Sequence, residues 1–459
     1  MKVRSSTVCI LMCLAVAGCH KRSAPQFKLS TEADSLARYA RNAVQNELDA
    51  GFGTPESFVV WPELPLDFGT YSGEVGRVLQ SGGGGSIVLA NDGLTPATDL
   101  AFASQLPSLN GAAVVVLSDS AAGDEEAVVE PAVLRVGSYD AESKTLQLVD
   151  EDGHAAAVSA AEGDAVQVIG STLQFGRDLY HRHCVHCHGT SGDGDGPTAK
   201  YFNVKPRDYR RGIFKFTSTK DGVRASRDDL FRLIKLGAPG TYMPSFMLLP
   251  DDEVFAIVEY VRWLAMRGEA ERKLVASLSL DHGKAEPAGE EALQGELADF
   301  VEPIGEELND DWSLAEQDAE IVFPVNADGK AVGRVEPTAE SIKRGRKLFL
   351  DKTSANCFSC HGETARGNGA STEVINKIKG PGGVEVDAPE PGLFDVWGNK
   401  VKPRDLTSGI FRGGRRPIDI YRRIVVGIKG TPMPGTANKL EPEQVWDLVN
   451  YVLSIPTEN

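Results

Sequence analysis

Several things are scarce in this sequence, and each scarcity excludes something. Only seven of the 459 residues are cysteine. Beyond Cys9, Cys13 and Cys19, all of them fall in two short motifs, so none remains for a disulfide-stapled scaffold. Past the N-terminal segment there is no apolar run approaching the ~20 residues that a membrane-crossing helix requires. Basic residues are outnumbered, 48 Lys and Arg against 65 Asp and Glu, for a net charge of −17. Such a chain is poorly suited to nucleic acid and better suited to a basic protein face. Methionine is also rare, with six in all.

What is present is Cys-x-x-Cys-His, twice: Cys184-Val185-His186-Cys187-His188 and Cys357-Phe358-Ser359-Cys360-His361. That spacing is the attachment pattern for c-type haem. Two cysteines three apart on one helical turn can offer both sulfurs to the two vinyl groups of one porphyrin, while the adjacent histidine reaches the iron from the same side. A zinc site would want a second ligand pair at short spacing, and a redox-active pair a βαβ setting. Neither surrounds these motifs. The expectation is two covalently bound haem c groups with iron, attached at Cys184, Cys187, Cys357 and Cys360 and ligated by His188 and His361.

From about residue 173 the chain repeats itself. Phe175-Gly176-Arg177-Asp178-Leu179-Tyr180 and Arg344-Gly345-Arg346-Lys347-Leu348-Phe349 lead into the two motifs. Lys205-Pro206-Arg207-Asp208 matches Lys402-Pro403-Arg404-Asp405, and Gly240-Thr241-Tyr242-Met243-Pro244 matches Gly430-Thr431-Pro432-Met433-Pro434. Each copy closes on an amphipathic stretch, Asp251 to Leu264 and Glu441 to Leu453. His361 is the last histidine, and Met433 is the only methionine after it. Met433 is therefore the natural distal ligand of the second iron, with a lysine or an open position as alternatives. In the first copy Met243 and Met247 compete, and the repeat register selects Met243. His/Met ligation raises a haem's potential.

On these residues both copies resemble class I c-type cytochrome domains, small helical folds around one haem, and the whole chain resembles a bacterial dihaem cytochrome c. The resemblance implies that Gly176 and Gly345 sit where the first helix of each domain crosses the last. It also implies that Pro197 supplies the carbonyl accepting the hydrogen bond of the proximal His188. The second copy has no proline there and carries about two dozen additional residues before Lys402. Arg207 and Arg404 are suited to pair with haem propionates, because guanidinium binds carboxylate bidentately. Ordinary surface ion pairs are the alternative.

The fold class expected is multidomain: a mostly β N-terminal domain followed by two all-α class I cytochrome c domains. Residues 1–18 read as an export segment of lipoprotein type, with Cys19 resembling the lipidated cysteine of bacterial lipoproteins. Residues 19–57 read as tether and helix, and 58–172 as a small mostly β domain. Ser81 to Ser86 is glycine-rich but lacks the Gly-Lys-Ser/Thr ending of a phosphate loop, so it reads as a hairpin loop. The cytochrome domains span 173–267 and 338–457. Between them 268–337 reads as an acidic linker: Glu269 to Glu336 holds 18 acidic and 5 basic residues. The function expected is periplasmic electron transfer by a lipid-anchored, non-enzymatic protein with redox-protein partners and no small-molecule substrate. A dihaem peroxidase and a docking or assembly subunit are the alternatives.

Overall fold

The computed structural model describes residues 26–55, 61, 64–68, 76–89, 113–117, 134–140, 143, 145–150, 153–158, 160–169, 171–285, 288–379 and 385–457. Cys19, the export segment and the run 58–60 lie outside these residues. Among the described residues no helix is long and apolar enough to cross a membrane.

Six strands form a closed antiparallel barrel: β1 Gly76–Ser81, β2 Ser86–Leu89, β3 Ala113–Leu117, β4 Leu134–Asp140, β5 Thr145–Val149 and β6 Ala165–Ile169, paired in the order β1-β2-β5-β4-β3-β6. The register Gly76↔Val166 closes it. Alternate side chains fill its interior, among them Val78, Ile87, Val136, Leu146, Leu148 and Val166, the period-two pattern of a half-buried strand. Five of these strands, β2 to β6, fall on short runs of the sequence rich in β-branched and apolar residues, such as Ala113 to Leu117 and Ala165 to Ile169. The sixth, β1, is harder to see there, because Arg77, Gln80 and Ser81 dilute its apolar content. Gly82 to Gly85 turn the β1–β2 hairpin, where the Gly82 N–H donates to Ser86 O at 2.7 Å.

The first copy of the repeat is organised by α2 Ser171–His183, which crosses α5 Asp251–Leu278; between them lie the single-turn α3 Val185–His188 and α4 Arg227–Leu236. Ser226 caps α4, its side chain accepting from the Asp229 N–H, the usual relief for an orphan N-terminal donor. At the crossing, a Cβ on Gly176 would strike the Ala256 carbonyl. Tyr180 and Tyr260 pack edge to face beside it with centroids 5.3 Å apart, as helices in close contact require a small residue flanked by large ones.

Beyond residue 267, where the sequence suggests a boundary, α5 does not stop; it continues to Leu278. The acidic segment, read from its charge as a linker, packs against the domains, as its apolar clusters near Phe300-Val301 and Ile321-Val322-Phe323 suggest. It contains α6 Glu290–Leu314, whose Leu293, Ile304, Leu308 and Trp312 are buried. With α1 Arg38–Phe52, α6 covers the second half of α5. Carboxylates of the segment also neutralise arginines of the first copy: Glu316 accepts from Arg262 at 3.0 Å and Asp311 from Arg224 at 2.9 Å. Glu269 accepts from both Arg224 (2.8 Å) and the Trp312 indole (2.9 Å). Arg262 is fully buried, and an unpaired charge there would be strongly destabilising.

The second region repeats the plan with α7 Ala339–Leu350, α8 Phe358–His361, α9 Pro417–Val426 and α10 Pro442–Ser454. Pro442 opens α10 at its first turn beneath a Glu441/Gln444 capping box. Its additional residues form two small hairpins, β7 Lys377–Lys379 with β8 Glu385–Asp387, and β9 Leu393–Phe394 with β10 Lys400–Val401. Gly380 to Gly383, in the first hairpin, lie outside the described residues.

Candidate haem centres

Both Cys-x-x-Cys-His motifs wind into one helical turn. The His188 N–H donates to Cys184 O and the His361 N–H to Cys357 O, each at 2.9 Å. The following glycines, Gly189 and Gly362, end the turn at φ +75° and +77°, a left-handed conformation that L side chains rarely adopt. Among the described residues the four cysteines are not paired in disulfides. No group of three or more His, Cys, Asp or Glu there could hold a metal ion, so a zinc site finds no ligand set. Burial pushes the Cys184 thiol up to about 12 and Cys357 to about 11, which disfavours thiolate chemistry.

Each histidine is oriented through its other ring nitrogen. His188 Nδ1 bonds the Arg207 carbonyl at 3.1 Å, and His361 Nδ1 bonds the Arg404 carbonyl at 3.1 Å. In both sites Nε2 is thereby left to face outward for a ligand, and the backbone acceptor fixes the tautomer. Burial holds the His188 imidazole down at about 4 and lowers that of His361, favouring the neutral ring that a metal needs.

Pro197 does not have the role expected of it. It is exposed, and its neighbours bond back to the motif, Gly196 N–H to Cys187 O and Thr198 N–H to His186 O. The stretch Lys205 to Tyr209 runs beside the imidazole instead. This correction removes the apparent irregularity of the second copy: the acceptor is the arginine of Lys-Pro-Arg-Asp in both, and a proline nine residues after the histidine is needed in neither. A backbone carbonyl has no letter of its own, but the duplicated Lys-Pro-Arg-Asp was a sequence sign that the stretch mattered.

Met243 and Met433 stand in matching loops. The Thr241 hydroxyl caps the Met243 N–H at 3.1 Å and donates to Ala238 O at 2.7 Å; Thr431 does the same for Met433 (3.3 Å) and Ile428 O (2.7 Å). Both methionines line a cavity of about 590 Å³ that also takes in the four cysteines and both proximal histidines. Met247 is 62% exposed and lies outside it.

The wall of this cavity is mostly apolar, interrupted by eight lysines and arginines, and no carboxylate among the described residues lines it. That is a pointed inversion in a chain of charge −17. Arg207 and Arg404 are both in the wall, and neither makes an ion pair with a carboxylate among the described residues. Arg412 Nε, also in the wall, is buried without a hydrogen-bond partner. Buried donors of that kind require an acceptor. Apolar walls, a cationic lining that includes Arg207, Arg404 and Arg412, and paired thiols fit a flat apolar ring system that carries carboxylates, and haem c has that chemistry.

The cytochrome c family model matches residues 173–265 and again 342–456. These two regions are therefore cytochrome c domains, and with them come two covalently bound haem c groups. No curated protein matches it. Among solved structures it is similar to a chain of the reducing HAO-like protein complex of Kuenenia stuttgartiensis, at 25% identity over 61% of this chain and 95% of that chain, with a TM-score of 0.41.

Proposed function

We propose that this is an exported dihaem cytochrome c, lipid-anchored through Cys19, that passes electrons between a respiratory complex or dehydrogenase and an acceptor such as a terminal oxidase. Each haem is attached through Cys184/Cys187 or Cys357/Cys360 and ligated by His188 with Met243 or by His361 with Met433. The observation that carries the reading is that one cavity holds both attachment motifs, both histidines and both loop methionines, with cations as its only charged lining among the described residues.

Bound haem c supplies a one-electron iron couple. The chain's residues do the rest. His188 and His361 are oriented by the two arginine carbonyls, Met243 and Met433 are held by threonine-capped loops, and the apolar wall keeps water from the sites. The cationic side chains offset negative charge on the cofactor. Met243 and Met433, if they bind the irons, would occupy the position that a small-molecule substrate would need, which suits electron exchange.

The test is a spectroscopic redox titration of the purified protein together with carbon monoxide binding to the reduced form. Two haems per chain, each with a methionine-to-iron charge-transfer band and neither binding carbon monoxide rapidly at neutral pH, is the expected result. Rapid binding at either haem, or peroxide consumption abolished by Met433→Ala, would replace this reading with that of a dihaem enzyme.

A further inference from the structure

The two Lys-Pro-Arg-Asp arginines have different surroundings. Arg404 is tied within its own domain, Nε donating to Ile410 O at 2.9 Å, while its Nη2 borders Gly240 in the Met243 loop, where a Cβ would come within 3.0 Å of it. Among the described residues the Arg207 guanidinium makes no hydrogen bond; it lies over the Trp397 indole, 3.7 Å from the ring centroid. Trp397 belongs to the other cytochrome domain. The benzenoid edge of the same indole borders Gly430, where a Cβ would come within 2.6 Å, three residues ahead of Met433. One ring thus touches an arginine of the first site and the methionine loop of the second.

The turn that presents this ring is firmly built. Asp395 Oδ1 accepts from the N–H groups of Trp397 (3.1 Å) and Asn399 (2.9 Å), and the chain reverses through Gly398 at φ +76°. Asp395 is buried and lies 3.8 Å from Lys215 of the first domain. Arg211 of the first domain donates to Val396 O at 2.9 Å, and the Val396 N–H donates to Gly430 O at 3.0 Å. The additional residues of the second domain therefore end in a clasp on the first.

We propose that Trp397 is a positioning residue that holds the Arg207 guanidinium beside the first haem site, so that the reduction potential of that site depends on a side chain of the second domain. The inference rests on the haem reading above. A fixed cation favours the less positive, reduced state of a neighbouring iron, and its influence grows where water is excluded. Without the indole, Arg207 gains rotamers and solvent, and its effect is screened.

The experiment compares Trp397→Ala and Trp397→Phe in the full chain, with the two potentials assigned to their sites through Met243→Ala and Met433→Ala backgrounds. Trp397→Ala is expected to shift the first site's equilibrium about tenfold toward the oxidised form, about 59 mV for one electron. Trp397→Phe, which keeps a ring to stack on, should recover most of that shift, the second site should move less than about threefold, and both methionine bands should persist. An unmoved first site, equal movement of both, or identical Ala and Phe behaviour overturns the proposal. If Trp397→Ala does not accumulate, Trp397→Leu against Trp397→Phe poses the same question with the space filled. Native protein without two haems per chain would overturn the haem reading itself, whereas a two-haem protein with an unmoved first site overturns only this inference.

Discussion

The two cytochrome domains hold their sites in the same way and their scaffolds in different ways. In both, an arginine carbonyl takes the histidine Nδ1–H at 3.1 Å and a threonine caps the methionine N–H. The helix crossings beneath share a glycine and an edge-to-face aromatic pair, Tyr180 with Tyr260 at 5.3 Å and Phe349 with Tyr451 at 5.4 Å. In the first domain more rings extend the pair, with Tyr260 and Trp263 stacked 5.6 Å apart. In the second, Asp447 accepts from Ser341 Oγ at 2.6 Å and from Arg344 at 2.7 Å, while Asn450 donates to Ser341 at 2.9 Å. The first is then wrapped by α1 and α6; the second gains its clasp. Site geometry is carried by three loops, which leaves the helices free to be packed by whatever chemistry suffices.

That comparison can be broken most sharply at the methionines. Met243→Ala and Met433→Ala should each abolish one charge-transfer band and lower one potential by at least about a hundredfold in equilibrium, about 118 mV, while the other site keeps its spectrum; loss of both bands from one substitution would show that the sites are not separable.

Scaffold differences are smaller in effect. Trp312→Ala removes a fully buried ring that lies outside the matched family region and leaves Glu269 without its indole donor. It should destabilise the first domain by about 3–5 kcal/mol, read in urea as an earlier unfolding of the first haem's band alone. Ser341→Ala should weaken the second domain by about 1–3 kcal/mol, because Asp447 and Asn450 each lose a buried partner, and should leave the first domain's midpoint unchanged.

The smallest effect concerns the contact between the domains. Lys429 of the second donates to Thr219 Oγ1 and Val223 O of the first, both at 2.7 Å. Burial lowers its ammonium from 10.5 to about 8, against the opposing pull of Asp229 and Asp221. Between pH 8 and 10.5 the folded state binds fewer protons here than the unfolded chain, so stability contributed by this group rises with pH. The slope is at most about 1.4 kcal/mol per pH unit, and Lys429→Met should flatten it in denaturant melts run across that range.

Much of the site was legible in the sequence because covalent attachment and ligation demand particular letters at fixed spacing. Cys184, His188 and Met243 stand out in the sequence, as do their counterparts, and all of them line one cavity. The proximal hydrogen bond was not legible, since any residue can offer a carbonyl. The acidic segment misleads for a different reason. Its charge suggests a solvated tether, yet Leu293, Leu297, Ile304, Leu308 and Trp312 recur at helical spacing, and that period marks a buried face. Pro303 lies inside α6 without ending it. The role of Trp397 could not be read at all, because it is a contact between copies, and a repeat alignment compares copies without placing them side by side.

One consequence of α5 concerns inheritance. At 28 residues it is about 42 Å long, and its first half belongs to the cytochrome pattern while its second half is enclosed by α1 and α6. A recombination joint placed at the end of the family pattern would fall between Ala265 and Met266, both fully buried in the middle of α5. The first domain therefore cannot be exchanged as a cassette; the smallest transferable unit includes the flanking helices.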